Sequence, residues 1–365
     1  MIEWEDVYKV VEAMAPLYVA LILGYGSVKW WKIFSPEQGG AINRFACFFT
    51  LPLYTFDFTA HVDPFQWNYR FIGADAISKT IIVVVLAFWA KLSSKDDSHA
   101  VAWSITSYSL STLTNSLVVG VPLMKAMYGQ IGVDIVVQSS VVQSIIWMTL
   151  LLIVLECYRS TSEMDASSND VKNSVVCDLN NNKDLEKDVE EDSGARQSYW
   201  SLMKVVGLKL VVNPNSYAVY IGLFWAIIAS RCDITMPGIL EGSISIMAKA
   251  GAGTAMFSMG IFMALQKKII ACGVKLTVFG MVLRFIAGPA AMAIGCIAAG
   301  LHGDVLRVAI VQSALPQAIA SFIFAKEYGL HAEVISTAVI FGTMVSVPVL
   351  IAFYIGLDLI HWRFV

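Results

Sequence analysis

Charged residues are scarce in this sequence. They make up 15% of the 365 residues, whereas hydrophobic residues make up 57%, so a water-soluble body of this size would lack polar surface. The six cysteines form no Cys-x-x-Cys pair and the histidines form no cluster at metal-ligand spacing, which predicts neither a disulfide framework nor a zinc site. No nucleophile–base pattern indicates an enzyme. We therefore expect an integral membrane protein that needs no cofactor and binds no nucleic acid.

Long apolar runs recur along almost the whole chain. A hydrocarbon core about 30 Å thick needs roughly 20 apolar residues per helix, and these runs lack the period-two alternation of barrel strands. The sequence therefore predicts an all-α membrane protein with about ten transmembrane helices. The predicted spans are residues 7–28, 39–59, 71–91, 101–127, 133–157, 210–230, 240–265, 270–299, 304–325 and 333–357.

The basic residues predict an orientation in the membrane. Lys and Arg cluster after odd-numbered spans, as at Lys29, Lys91 and Lys267, whereas isolated basic residues follow the even-numbered ones. By the positive-inside rule the odd-numbered connections are cytosolic, which places both termini on the outer or lumenal side. The acidic start MIEWEDVYKVVEAM leads directly into a full-length span, so we expect a first transmembrane helix and no cleaved signal peptide.

The segment 159–199 differs in composition from the rest. It is rich in Asn, Asp, Glu and Ser and has almost no aromatic residues before Tyr199, so it cannot bury a core. We predict a short disordered cytosolic linker that acts as a solvated spacer; docking of a basic partner on its acidic run is the alternative. This linker separates a first five-helix repeat, residues 1–158, from a second, residues 200–365.

A Tyr-Gly pair occupies a shared position in the two halves. Tyr128-Gly129 and Tyr328-Gly329 each close one predicted span just before the next span begins. This correspondence indicates an internal repeat. Because five spans is an odd number, the second copy is inverted relative to the first.

One span in each predicted repeat is interrupted near its middle. LSTLTNSLVVGVPLMKAMYG, residues 110–129, contains Pro122, and QSALPQAIASFIFAKEYG contains Pro316 and Gln317. A proline frees carbonyl groups that hydrocarbon cannot satisfy, so we predict a cavity between the two interrupted helices. Their half-helix N-termini favour an anion there. An ordinary proline kink in each helix is the alternative interpretation.

Few ionisable residues lie inside the predicted spans. Asp75 and Lys79 are four residues apart in the third span, so they share a helix face and are predicted to form an ion pair. Such a pair either fixes helix packing or takes part in transport, because an unpaired charge at the bilayer centre costs at least about 2.5 kcal/mol. Arg44, Lys249 and Arg284 stand alone and are expected to snorkel toward an interface.

Four motifs carry a resemblance to a known family. LSTLTNSLVVGVPLMKAMYG, SALPQAIASFIFAKEYGLHAEVISTAVIFG, FSPEQGGAINRF and NPNSYA together resemble the plant PIN auxin efflux carriers over nearly all of the chain outside the linker. The short linker resembles that of the short-loop subgroup, which is associated with the endoplasmic reticulum; the plasma membrane, where long-loop relatives act, is the alternative location.

The resemblance implies a fold and a function. The fold would be a homodimer of ten-helix chains with inverted five-helix repeats and broken crossing helices, similar to bile-acid symporters and sodium–proton antiporters. The first two helices of each repeat would form a scaffold, and the last three of each a moving transport domain. Such carriers pass the anion of indole-3-acetic acid and related auxins by an elevator-like movement without an evident coupling ion.

Two other function classes stay open from the sequence. One is an ion-coupled organic-anion symporter or antiporter in which Asp75 titrates. The other is an intramembrane receptor or enzyme that binds a ligand without moving it, which the absence of a catalytic constellation in the sequence disfavours.

The resemblance also implies a substrate site. Asn115 would hold the carboxylate near the helix crossing, with Gln143 close by, although a polar Gln143 deep in a span also suits interhelical hydrogen bonding. The residues that would line the indole pocket are Leu51, Thr55, Val118 and Ile319. Asp75 and Lys79 match the family's support-site pair.

Two positions depart from the family pattern. Thr114 stands where the first crossing commonly has proline, so we expect its hydroxyl to bond back to the helix and to soften the first interruption. Met148 stands where relatives can carry a tyrosine, which removes a ring contact and a hydroxyl and predicts a different affinity or substrate preference. The predicted crossing therefore contains Thr114, Pro122, Pro316 and Gln317.

Overall fold

The computed structural model describes residues 4–92, 97–161, 203–209, 213–266, 268 and 270–364. Every regular element in these ranges is a helix, and strand-like pairing is limited there to one isolated bridge. This confirms the predicted all-α class. The predicted disorder of the linker lies outside the described residues, except that residues 159–161 are helical.

The helices follow the predicted spans closely. Those of the first half are α1 (Trp4–Lys29), α2 (Pro36–Phe45), α3 (Leu51–Ala60), α4 (Tyr69–Leu92), α5 (Asp97–Thr112), α6 (Val121–Val142) and α7 (148–161). Those of the second half are α8 (Met203–Lys209), α9 (Pro214–Cys232), α10 (Gly238–Leu265), α11 (Val274–Val282), α12 (Gly288–Ala298), α13 (Gly303–Ser313), α14 (Ile319–Glu327) and α15 (Ala332–Phe364).

Six helices of the described ranges are each long and apolar enough to cross a membrane, or seven if the bent pair α8–α9 counts as one. The chain is therefore a multi-pass membrane protein, while the count of ten stays a prediction. Part of the difference is that interruptions divide two predicted spans into short helices. The run Ser116–Thr161 has 46 residues, about 69 Å at 1.5 Å per residue, and Gly129 within it is not helical (φ 63°, ψ −141°).

Three helices widen into a five-residue π-helical turn that ends two residues before a proline. These turns are Ala46–Thr50 before Pro52, Ser116–Gly120 before Pro122, and Leu283–Ala287 before Pro289. The wider turn relieves the clash between the proline ring and the preceding carbonyl. Pro122 consequently sits in the first turn of α6, and the prediction that it interrupts the span is wrong; the non-helical residues are 113–115.

The helices pack in two groups. In one, α1 packs on α10, and α3 packs on α9 and α10; in the other, α4 packs on α12, and α13 packs on α6, α12 and α15. Glycines allow the closest approach, since a Cβ on Gly24 would overlap the Phe257 carbonyl and one on Gly260 would overlap the Leu21 carbonyl. Small residues at helix contacts are a common device in membranes. The two groups meet mainly where α1 contacts α6 and α15.

Candidate functional site

The centre of the molecule is a crossing of two interrupted helices. After α5 the chain is non-helical over residues 113–115, the first crossing segment, and after α13 it is non-helical over residues 314–318, the second crossing segment. The two segments run antiparallel, with Thr114 opposite Gln317. The helices therefore do not simply kink at this point, because each one stops and a new one begins.

Backbone groups freed by the two interruptions satisfy each other. The Asn115 N–H donates to the Pro316 carbonyl at 2.9 Å, and the Ala318 N–H donates to the Leu113 carbonyl at 3.2 Å. Unpaired backbone groups are costly away from water. The antiparallel pairing thus allows non-helical backbone at the centre of an apolar protein.

A glutamine holds the first crossing segment. The Gln143 amide oxygen accepts hydrogen bonds from the Thr114 N–H at 3.0 Å and from the Thr114 hydroxyl at 3.2 Å, and its amide nitrogen donates to the Thr114 carbonyl at 2.9 Å. The Thr114 hydroxyl also shares a 2.6 Å hydrogen bond with the Ser116 hydroxyl. Among the described residues, the Thr114 hydroxyl therefore bonds only to those that follow it in the chain, and the expected bond back to the preceding helix is not formed.

A second glutamine holds the second crossing segment. Gln317 is fully buried, and its amide nitrogen donates to the Ser109 carbonyl at 2.9 Å and to the Ser321 hydroxyl at 2.7 Å. Its amide oxygen has no hydrogen-bond partner in the part of the chain that the structure describes. Gln317 therefore joins α5 to α14 across the crossing.

Asn115 differs from both glutamines. It is only partly buried, and its side-chain amide makes no hydrogen bond with any other described residue. Two residues away, the Leu117 carbonyl accepts a 3.2 Å hydrogen bond from the hydroxyl of Tyr54 on α3. The Asn115 amide is thus available to a ligand at the point where the two helix groups meet.

A cavity of about 520 Å³ lies between α3 and the beginning of α6. Phe58, Val121 and Pro122 line it with apolar surface, and its polar lining includes Tyr54, the basic Lys125 and the acidic Asp57 and Asp134. Small-molecule sites typically measure about 300–1,000 Å³ and combine apolar walls with a few polar groups. This cavity therefore has the size and the mixed lining of a ligand site, and it begins beside the π turn that follows the first crossing segment.

The structure brings Asp75 and Lys79 together on α4. The Lys79 ammonium donates to Asp75 Oδ2 at 2.8 Å, and Trp147 Nε1 donates to the same oxygen at 2.8 Å. Both charged side chains are almost completely buried. They border a cavity of about 10 Å³, which also touches the ends of α5 and α13 at Thr112 and Ser313, and that volume is about what one water requires.

Arg284 is a second buried cation, which sequence reasoning named but expected at an interface. The side chain is 0% exposed, so the expectation that it snorkels is wrong, whereas Arg44 and Lys249 are exposed. Its guanidinium donates to the Leu110 and Leu113 carbonyls at 3.3 and 3.2 Å and also to the Ser313 carbonyl. The available signal was an arginine within a long apolar run, which marks a functional position more often than a lipid-facing one.

Comparison with known proteins identifies the family. The family model described as "Membrane transport protein" matches residues 9–354. The chain is 63% identical over 361 residues to "Auxin efflux carrier component 5" of Arabidopsis thaliana, covering 99% of this chain and 100% of the relative. This chain belongs to the auxin efflux carrier family. Members of the family are transporters, and the chain is accordingly not an enzyme.

Other auxin efflux carriers differ in length. "Probable auxin efflux carrier component 5a" of Oryza sativa subsp. japonica is 56% identical over 364 residues, covering 99% of this chain and 100% of the relative. "Auxin efflux carrier component 4" of Arabidopsis thaliana is 30% identical over an alignment of 620 positions, covering 98% of this chain and 100% of the relative. The present chain thus matches the short members of the family from end to end.

The remaining predicted site residues occupy different surroundings. Val118 lies in the main apolar core, and Leu51 and Ile319 pack against that core. Met148 belongs to a separate apolar cluster that includes Leu113 and Ala318. Within the described ranges, no group of three or more His, Cys, Asp or Glu residues is placed to hold a metal ion.

Thr55 is engaged in packing between helices. Its hydroxyl donates to the Asn215 side-chain oxygen at 2.6 Å, and the residue is 2% exposed. Asn215 lies in the first turn of α9. The Thr55 hydroxyl therefore links α3 to α9, and its neighbour Tyr54, which sequence reasoning missed, reaches the crossing instead.

Proposed function

We propose that this chain carries the indole-3-acetate anion and related auxins across a membrane by an elevator-like movement that needs no coupling ion. The names of its relatives support auxin as the substrate. The observation that carries the proposal is the uncommitted amide of Asn115 between two broken helices. A cavity of about 520 Å³ lies further along the chain, at the beginning of α6. An amide donor suits a carboxylate, and apolar walls suit a flat aromatic ring.

The helix ends at the crossing favour an anionic substrate. α14 begins at Ile319 and the π turn that leads into α6 begins at Ser116, so both helices start at the crossing. Helix N-termini carry a partial positive charge and unpaired N–H groups. We assign the carboxylate to Asn115 and these N-termini, and the indole ring to Leu51, Val118 and Ile319.

In this proposal, several predicted site residues influence substrate binding through neighbouring residues. Gln143 is a positioning residue, because both polar atoms of its amide are bound to Thr114. Thr55 supports the wall through Asn215. Met148 packs behind the first crossing segment and influences affinity through Leu113. Asp75 and Lys79 form a support pair beside the helix ends.

The proposed architecture consists of ten spans in two inverted five-helix repeats. Reciprocal packing supports this symmetry, since the first span contacts the seventh (α1 with α10) and the second contacts the sixth (α3 with α9). We assign the first two spans of each repeat to a scaffold and the last three of each to a transport domain. Movement of the second against the first, around a site at their junction, is a common way to alternate access.

We place the carrier in the endoplasmic reticulum membrane as a homodimer, with lumenal termini and a cytosolic linker. The end-to-end match with short relatives supports this assignment. The plasma membrane is the alternative location. Tagged protein in plant cells, separated by membrane fractionation, distinguishes the two.

A transported monoanion responds directly to the membrane potential. The free energy is about 2.3 kcal/mol per 100 mV, which is enough to drive flux without an accompanying ion. The test is uptake of labelled indole-3-acetate into vesicles that contain only the purified chain, under imposed potassium-diffusion potentials. We expect uptake into vesicles with a positive interior. Saturable binding without net movement would overturn the proposal.

An ion-coupled symporter or antiporter is the second candidate. It is favoured by the small cavity beside Asp75, where one water or proton donor fits between the ion pair and the helix ends. Collapsing the sodium and pH gradients separately distinguishes the candidates. Uptake that stays constant in both conditions rejects coupling, whereas loss of uptake in either one supports it.

A further inference from the structure

Arg284 places a positive charge in the interior without an acidic partner. The side chain is fully buried in the π turn between α11 and α12. Among the described residues, no carboxylate lies within ion-pair distance of its guanidinium. A buried, unpaired charge is costly, so its presence requires another source of negative potential.

The compensation comes from the two interrupted helices. The guanidinium binds the Leu110 carbonyl in the last turn of α5, the Leu113 carbonyl directly after it, and the Ser313 carbonyl at the end of α13. Each helix C-terminus carries about half a negative elementary charge. Two such ends therefore balance one guanidinium, while Asp75 and Lys79 balance each other.

Converging carbonyls at the ends of broken helices are the ligands that ion-coupled transporters use for a coupling cation. We propose that the guanidinium of Arg284 is a resident cation that occupies the place of such an ion. An arginine does not lose its proton in proteins, and this one is attached to the chain. The carbonyl site is thus filled through the whole cycle, so the substrate anion binds and moves without a co-bound cation. This inference rests on the proposed transport function.

The inference makes a specific demand on the side chain at position 284. The site has to contain a positive charge, but that charge does not have to be covalently attached to the chain. We therefore compare Arg284→Lys, which keeps a cation, with Arg284→Met, which keeps a long side chain without charge. Arg44→Met is the matched control because Arg44 is exposed on α2. Arg284→Ala leaves space that a free guanidinium ion can enter.

The measurements are binding and uptake of indole-3-acetate by purified chain in vesicles. For the wild type we expect equal values in sodium, potassium and N-methylglucamine buffers. Arg284→Met should lose affinity and flux by about 10- to 100-fold, the range for losing hydrogen bonds to a charged group. Arg284→Lys should retain most of both. Millimolar guanidinium should restore Arg284→Ala, and urea, a neutral molecule of the same shape, should not.

Three outcomes would overturn the inference. They are wild-type binding that requires sodium or potassium, an Arg284→Met variant that behaves like the wild type, and a correctly folded Arg284→Ala variant that guanidinium does not restore. If Arg284→Met fails to fold, the comparison of guanidinium with urea on Arg284→Ala still decides. If wild-type vesicles move no auxin at all, the proposed function fails instead. The thermal midpoint of Arg284→Ala in guanidinium against urea then tests the resident cation separately.

Discussion

The two crossing segments solve the same problem by different means. The first has three residues and no proline, and the Gln143 side chain binds the backbone of Thr114 on both sides. The second has five residues, contains Pro316, and is held by the completely buried Gln317. The Gln143 side chain thus acts as a clamp on the backbone of the first segment, and the second segment has Pro316 instead.

The two segments also differ in whether their polar side chains are bound to other protein groups. In the second segment the polar side chain is buried and bound to protein atoms, whereas in the first segment Asn115 is partly exposed and uncommitted. The π turn that follows the first segment also has a contact from α3, because the Tyr54 hydroxyl donates to the Leu117 carbonyl. In the proposed carrier, the first segment therefore provides the amide for the ligand and the second provides rigidity.

Removing the clamp should have the largest effect. Gln143→Ala leaves the N–H and the carbonyl of Thr114 without partners in a buried position, which we expect to cost about 2–6 kcal/mol, at 1–3 kcal/mol for each group. Thermal unfolding in detergent measures this loss. Gln130→Ala is the control, because Gln130 is exposed on the same helix and bonds only to Asp134 among the described residues. Equal midpoints for the two variants would show that the clamp does not hold the segment.

Removing the free amide should affect binding alone. Asn115→Ala is expected to weaken indole-3-acetate binding by about 10- to 100-fold, because the carboxylate loses a donor in an apolar site. The unfolding midpoint should stay at the wild-type value, since no described protein group depends on this amide. Gln317→Ala should do the opposite and lower the midpoint. Unchanged affinity in Asn115→Ala would remove that residue from the site.

The ion pair borders the ends of both interrupted helices, so its loss should disturb both segments. Lys79→Ala leaves Asp75 buried without its cation and should lower transport strongly. Asp75→Asn in the same background should partly restore transport. In a double-mutant cycle of unfolding free energies, we expect a coupling of about 1–3 kcal/mol between the two residues. Additive effects would mean that the 2.8 Å contact carries no energy.

The smallest effect is expected at the contact between α3 and the π turn that follows the first segment. Tyr54→Phe removes the hydroxyl that binds the Leu117 carbonyl, at a cost of about 1 kcal/mol. If this bond has to break when the two helix groups move, transport should become about fivefold faster while substrate affinity changes little. Slower transport with weaker binding would instead make Tyr54 a substrate contact.

Sequence reasoning succeeded where the information is local. The spacing of four residues predicted the Asp75–Lys79 contact, and Pro316 marked an interruption that the structure contains. It failed where a local pattern allows two outcomes, and where the outcome depends on a distant partner. Pro122 is absorbed by a π turn, and the lone Arg284 is buried because two helix ends from elsewhere in the chain receive its hydrogen bonds.

The sequence by itself determined the all-helical class and the membrane setting, because hydrophobicity and run length act along the chain without reference to other segments. It also determined the family, through motifs that lie close together in the chain. Only the tertiary structure decided which polar side chains are hydrogen-bonded to other protein groups. Each of Gln143, Gln317 and Arg284 finds a partner across a sequence separation of 29 to 208 residues, whereas no described residue hydrogen-bonds to the side-chain amide of Asn115. Hydrogen bonding is short-ranged in space rather than in sequence, so the folded arrangement alone distinguishes an amide that is bound to other protein groups from one that is not.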